Sequence, residues 1–167
     1  PGPPTKSITA LRLLNELWMR LSRSSDYAIR ALIYLAGLRE GESASGSVIA
    51  SATGVGEPFL LKVLRQLVRA RLILAQTGVG GGFRLNLPAE QISMLRVIEA
   101  VDGPLESGTC LVEDQACERK SWCSMHVVLA ELHQHTLKVL SGTSIERLRR
   151  DSAVRRDFVE SIASARG

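Results

Sequence analysis

The run VIASATGVGEPFLLKVLRQLVRARLI, residues 48–73, carries two apolar patterns of helical period on either side of ATGVGEP. That break supplies Gly54 and Gly56 for positive φ and Pro58 for a first helical turn, so two helices are expected to flank a tight turn. Ala50 is small where the pair must cross, Gly54 follows four residues later, and Ile49, Val55, Leu60 and Val63 supply the inward faces. In the second helix Leu60, Leu64 and Leu67 form a stripe for burial, while Lys62, Arg65, Gln66 and Arg69 recur on the opposite side. A cationic face just after a turn suits phosphate and base-edge contact; the plainer alternative is a solvated helix face.

Upstream, DYAIRALIYLAGL (26–38) repeats apolar residues at helical spacing, and its Ser-Ser-Asp lead-in offers caps for a helix starting near Asp26. Downstream, LILAQ and FRLNL alternate around TGVGGG and predict two short antiparallel strands with a glycine-rich tip. The tip lacks the Lys-Ser/Thr ending of a nucleotide-binding loop and does not open a helix. Its glycines let backbone amides approach phosphates or a narrow minor groove, unless they serve the hairpin turn alone.

Helix, helix, turn, helix, hairpin is the order of a winged helix-turn-helix, whose second turn helix enters the major groove of double-stranded DNA. On that reading the DNA-facing candidates are Arg23, Glu57, Pro58, Phe59, Lys62, Arg65, Gln66 and Arg69. The wing adds Thr77, Gly78, Gly80 and Gly81. Charge agrees: residues 1–84 hold 11 Lys and Arg against 5 Asp and Glu, whereas the remainder holds 10 against 12. A basic front half suits a polyanion-binding module joined to one with another task.

That second part begins with ISMLRVIEAV (92–101), an amphipathic helix closed by Asp102-Gly103-Pro104. From Met125, apolar positions at Met125, Leu129, Leu132, Thr136 and Val139 or Leu140 form the seam of a long helix suited to two-fold pairing, with intramolecular packing as the alternative. The expected fold is thus mainly α with a small β-hairpin: a winged helix-turn-helix domain plus a long dimerization helix. Residues 1–18 read as an N-terminal extension or cloning remnant, 19–88 as the DNA-binding domain, and 89–109 as a connecting helix and loop. A cysteine loop occupies 110–126, the dimerization helix and a short C-terminal helix 124–150, and a tail 151–167.

With 45% apolar and 23% charged residues in 167, the chain has enough apolar content for one compact domain or two small ones. No apolar run reaches the roughly 18 residues of a membrane span, and the opening residues lack the pattern of a secretory signal. A cytoplasmic protein with reduced thiols is expected.

All three cysteines fall in CLVEDQACERKSWCSMH (110–126). Three thiols cannot all pair within one chain, and Cys-x6-Cys-x5-Cys is looser than the knuckles of structural zinc. The surroundings, Glu113, Asp114, Glu118, Arg119 and Lys120, are too polar for buried core cysteines. A cluster with iron atoms at separate corners needs thiolates spread over a longer loop, which favors iron and sulfur over zinc. Arg119 and Lys120 would favor thiolates, and Trp122 would shield one flank. A thiol redox enzyme would want Cys-x-x-Cys, which is absent, so no catalytic role is expected.

Met19-Arg20-Leu21-Ser22 with Asp26-Tyr27-Ala28, PFLLKVLRQLVRARLI, GVGGGFRL, ISMLRVIEAVDGP and the three-cysteine loop together resemble the Rrf-two family of bacterial winged-helix transcription regulators, over about residues 19–150. The resemblance implies a dimeric, DNA-binding repressor or activator that senses redox, nitric oxide or iron–sulfur status through an iron–sulfur cluster of the 2Fe-2S or 4Fe-4S type. It makes Cys110, Cys117 and Cys123 the thiolate ligands. For the remaining ligand it offers His126, as in the family's cluster-assembly regulators, or Asp26 from the partner chain, as in its nitric-oxide sensors. The alternatives from the residues themselves are a helix cap for Asp26 and a partly exposed helix position for His126; His133 and His135 read as surface residues. The chain departs from the family at Thr77, where arginine is often found, and at Arg71, where glycine often stands; it also has one residue more between Cys110 and Cys117 than the family's cluster-assembly regulators. A zinc-stabilized or cluster-free regulator using its thiols as a redox sensor is the alternative function.

Overall fold

The structure is a computed structural model that describes residues 21–78, 80–105 and 122–164, with side chains to Val154. Residues 1–18, Cys110, Cys117, Arg119 and Lys120 lie outside the described residues.

Helix α1 spans Arg23–Ala36. It begins three residues before the expected start, because Ser22 is the cap: its Oγ accepts from the Ser25 amide at 3.0 Å. Asp26 is therefore not the N-cap. It lies in the second half of the first turn and pairs with Arg30 one turn on, with an N–O distance of 2.9 Å. Ala28, Ala31, Leu32 and Leu35 face the core.

Helix α2, Gly46–Thr53, starts on Ser45, and α3, Glu57–Arg69, has Pro58 in its first turn. Their axes turn by 111° across the break, and Gly54 makes it at φ +69°, where a β-carbon would be strained. Ile49, Leu60, Leu64 and Leu67 are fully buried, with Val63 and Val55 beside them, as their spacing requires. Helix α3 ends in a Schellman turn. The Leu72 amide reaches back to Leu67 O at 3.0 Å, and the Arg71 amide to Val68 O at 2.9 Å.

That turn puts Arg71 at φ +57°, the only non-glycine with positive φ among the described residues. Glycine adopts this conformation without steric cost. Arg71→Gly is expected to stabilize the fold by about 0.5–1 kcal/mol, the left-handed penalty less the extra entropy of an unfolded glycine. A thermal melt reads it as a rise of a few degrees; a lower midpoint would mean that the Arg71 side chain outweighs its backbone cost.

The hairpin forms as expected: β1, Ile73–Gln76, pairs antiparallel with β2, Gly82–Leu85, in the register Ile73↔Leu85 to Gln76↔Gly82. Its alternation is not realized as burial. Only Ile73 of β1 is buried, whereas Leu74, Ala75 and Gln76 are exposed, because a two-stranded ribbon leaning on the domain by its base has no second layer. Ala44 adds a rung, exchanging amide bonds with Phe83 at 3.0 and 2.8 Å. Gly82 allows this approach: at φ +155° a β-carbon there would lie 2.4 Å from Ala44 O. Ser43 Oγ donates to Gly80 O at 2.9 Å and ties the tip down.

A 3-10 turn at Ala89–Gln91 leads to α4, Met94–Asp102, capped by Ser93 and closed at Gly103 as expected. Helix α5 runs Ser124–Gly142 against α4, and α6, Ile145–Ser164, packs on α1 and the 3-10 turn. Where α4 begins and α6 begins, the chain forms a short two-sided ladder: Met94 N to Thr143 O at 2.8 Å and Ile145 N to Ile92 O at 2.9 Å. Helix α6 corrects the expectation of a short helix followed by a tail from residue 151, since it continues to Ser164. Its polar composition hid it, for a helix seated on one side by a few residues such as Ile145 and Leu148 carries little apolar periodicity.

Glu146 in its first turn is buried, accepting from Arg149 at 2.7 and 2.8 Å and from Arg150 at 2.6 Å. These bonds, the Arg149 pair foremost, hold its carboxyl down to about 2 from an ordinary value of 4.5. A depressed carboxylate stabilizes the fold above its unfolded value and loses that contribution as pH falls through the folded one. Acid unfolding of the wild type should therefore include a component between about pH 4.5 and 2 that Glu146→Gln lacks. Identical acid midpoints, relative to neutral stability, would exclude the carboxylate as its source.

Candidate nucleic-acid interface and sensor segment

The outer face of α3 is built by the burial of its inner one. With Leu60, Val63, Leu64 and Leu67 fixed inward, helical geometry turns Lys62, Arg65 and Arg69 outward, and all three are exposed. With Ser24, Phe59 and Gln66 they line a shallow cleft of about 400 Å³ between the start of α1 and α3. Arg23, Glu57 and Pro58 are exposed beside it, and Thr77, Gly78 and Gly80 are exposed on the wing, with Gly81 half-buried. The expected DNA-facing residues thus lie on the outer face of α3 and on the wing, with Arg23 on α1 beside them.

One of them has another role. Gln66 donates from Nε2 to Val101 O at 3.1 Å, so its amide nitrogen is turned back onto the end of α4. Beside it, Asp102 accepts Ser22 Oγ at 2.6 Å and Ser25 Oγ at 2.7 Å. Ser25 is fully buried, so its bond to Asp102 satisfies a hydroxyl that burial would otherwise strand. Val101 and Asp102 therefore join both α3 and the start of α1 to the point from which the chain runs into the cysteine segment. Sequence reading passed over Ser22, Ser25 and Asp102 as functional positions; bonds across 80 and 77 residues leave no local signal.

Of the expected metal ligands, Cys123 and His126 are brought together. Cys123 is the N-cap of α5, His126 stands one turn along, and the His126 amide donates to Cys123 O at 3.1 Å. Both residues are half-buried, and the Cys123 thiol is free. Asp26 lies on α1 in its pair with Arg30. Among the described residues no three acidic, histidine or cysteine side chains converge on one point.

The seam read along α5 splits between two faces. Leu129 and Thr136 are half-buried and Leu140 is buried, whereas Met125, Leu132 and Val139 stay exposed and are joined by Val128 into one apolar row. Met125 is 67% and Leu132 47% exposed, high for large apolar side chains standing in line. His133 is half-buried and His135 exposed. Among the described residues no single helix is long and apolar enough to cross a membrane.

A family model described as "Iron-dependent Transcriptional regulator", Rrf2, matches residues 21–151. The chain belongs to the Rrf2 family. This Rrf2 protein is accordingly a transcription regulator of winged-helix fold. Solved structures share that fold at low identity. CymR, described as the global cysteine regulator of B. subtilis, has 23% identity and a TM-score of 0.68, over 79% of this chain and 97% of CymR. IscR of T. potens has 20% identity and a TM-score of 0.64, over 82% of this chain and 90% of that one. The oxidized form of Staphylococcus aureus CymR, at 22% identity and a TM-score of 0.62, covers 78% of this chain and 96% of its own.

Proposed function

We propose that this regulator binds palindromic operator DNA as a homodimer, and that holding an iron–sulfur cluster through Cys110, Cys117 and Cys123 changes its operator affinity in response to redox, nitric oxide or iron–sulfur status. The observation that carries the reading is the position of Cys123. This thiol opens α5, which packs on α4, and the end of α4 is bonded to both α1 and α3. A change of occupancy at the cysteines therefore has a packed and hydrogen-bonded route to the recognition helix.

The donor set fits such a group: three soft thiolates with one imidazole or carboxylate corner suit iron, and the weaker corner leaves one site exchangeable. His126, one turn from Cys123, is the ligand available within the chain. Asp26 serves only from a second protomer and must leave Arg30, a small loss because that pair is solvent-exposed. The exposed row on α5 supports the dimer, since a second copy of the same helix covers it by two-fold symmetry.

Anaerobic purification with iron and sulfide analysis is the deciding experiment. Cys110→Ala, Cys117→Ala and Cys123→Ala should each reconstitute with little visible absorption and bind operator as the apoprotein does. His126→Ala should take up the cluster yet lose it faster in air or nitric oxide while Asp26→Ala keeps wild-type kinetics; the converse assigns Asp26. Stoichiometric zinc without sulfide, or a metal-free protein whose DNA affinity follows thiol oxidation, would replace the cluster with the thiol-sensing alternative. That alternative draws support from the shared fold of CymR.

A further inference from the structure

We propose that Phe59 reads thymine: its ring meets the 5-methyl group of one thymine in each operator half-site and is this regulator's determinant for an A·T pair there. The inference rests on α3 being the helix that enters the major groove, and it goes further by naming the base and the atom recognized.

Phe59 is 41% exposed, the one large aromatic side chain on the outer side of α3. It stands in the first turn, three residues after the Gly56 cap, where recognition helices bring side chains to base edges. Its ring is not loose. Tyr27 of α1 meets it edge-on, with centroids 5.5 Å apart and planes at 86°, an arrangement favored by the ring quadrupoles. An apolar ring so fixed at the rim of a cationic cleft has no partner among the described residues for its exposed part.

The neighboring residues narrow what that part can recognize. Lys62, Arg65 and Arg69 donate only, so they suit guanine N7 and O6 or phosphate oxygens and cannot make the paired donor and acceptor contact that marks adenine. Gln66 has the right group for adenine, but its amide nitrogen is bonded to Val101 O. The thymine methyl is an apolar knob in the major groove that an aromatic edge can cover, and it is the mark of an A·T pair that the Phe59 ring is suited to read. Burying a methyl group is worth several-fold in affinity, so two half-sites together give about tenfold.

The test begins with an operator selected from a random-sequence duplex pool by the wild-type dimer. Each thymine of that duplex is then replaced in turn, symmetrically in both half-sites, by deoxyuridine, which lacks only the methyl. The wild type should lose about tenfold in affinity at one symmetric pair of positions and little elsewhere. Phe59→Ala should be indifferent to the methyl at that pair, and Phe59→Leu should keep part of the sensitivity. The wild-type scan needs no variant, so a misfolded Phe59→Ala would leave the question to it and to Phe59→Leu. Wild-type indifference to every methyl, or equal methyl sensitivity in Phe59→Ala or Phe59→Leu and wild type, overturns the proposal. Lys62→Ala separates the two readings: if it weakens binding while no methyl matters, α3 docks in the groove and Phe59 does not read thymine. If neither matters, α3 is not the recognition helix.

Discussion

Replacing Lys62 and Arg65 together with alanine is expected to weaken operator binding about 100-fold near physiological salt and to flatten its salt dependence. Both side chains are exposed on the outer face of α3, so their loss disturbs no core contact. Each cation that meets a phosphate releases a condensed counterion and adds about 0.9 to the slope of log affinity against log salt. A dimer carries four such groups on its two helices, so the slope should fall in magnitude by about 3.6. Between about 50 and 200 mM salt the wild type should then lose roughly 150-fold more than the variant does. Filter binding or fluorescence anisotropy at several salt concentrations reads this directly. Parallel slopes would show that neither residue touches a phosphate, and would move the interface away from α3.

Leu132→Glu is the second large effect. Leu132 is exposed in the single protomer, in a row with Met125, Val128 and Val139, so a glutamate there is harmless to an isolated chain. In a two-fold pair the same change sets two carboxylates against an apolar partner face, without counter-charge. Sedimentation should show monomers at micromolar concentration. Operator affinity should fall at least about 100-fold, because two half-sites then bind independently instead of at a shared effective concentration. An intact dimer with wild-type affinity would relocate the interface to another face.

How much of this could be read beforehand differs element by element. The inward stripe of α3 was legible because Leu60, Leu64 and Leu67 repeat at the helical period while Lys62, Arg65 and Arg69 recur on the opposite side. The turn was legible because Gly54 and Pro58 have few other uses at that spacing. The start of α1 was not, since Ser22, Ser24, Ser25 and Asp26 are all competent caps and the choice of Ser22 accompanies its bond to Asp102, far along the chain. On α5 both the inner and the outer face are apolar, so periodicity found a helix but merged two stripes into one seam. Cys123 and His126 were legible as neighbors because four residues of one helix start decide it, whereas the commitment of Gln66 to Val101 depends on a packing that no local window contains.

The ladder joining Ile92 and Met94 to Thr143 and Ile145 closes the excursion of α4, the cysteine segment and α5 at its base. Because the ends are fixed there and along the α4–α5 contact, the free energy of closing the excursion depends on contour length only logarithmically, about 0.6 kcal/mol for a doubling. If the segment between α4 and α5 closes as a loop, one residue more in it changes the closure entropy by a negligible amount. Spacing in the segment between α4 and α5 is thus free to drift under selection while the winged-helix half of the molecule keeps its shape.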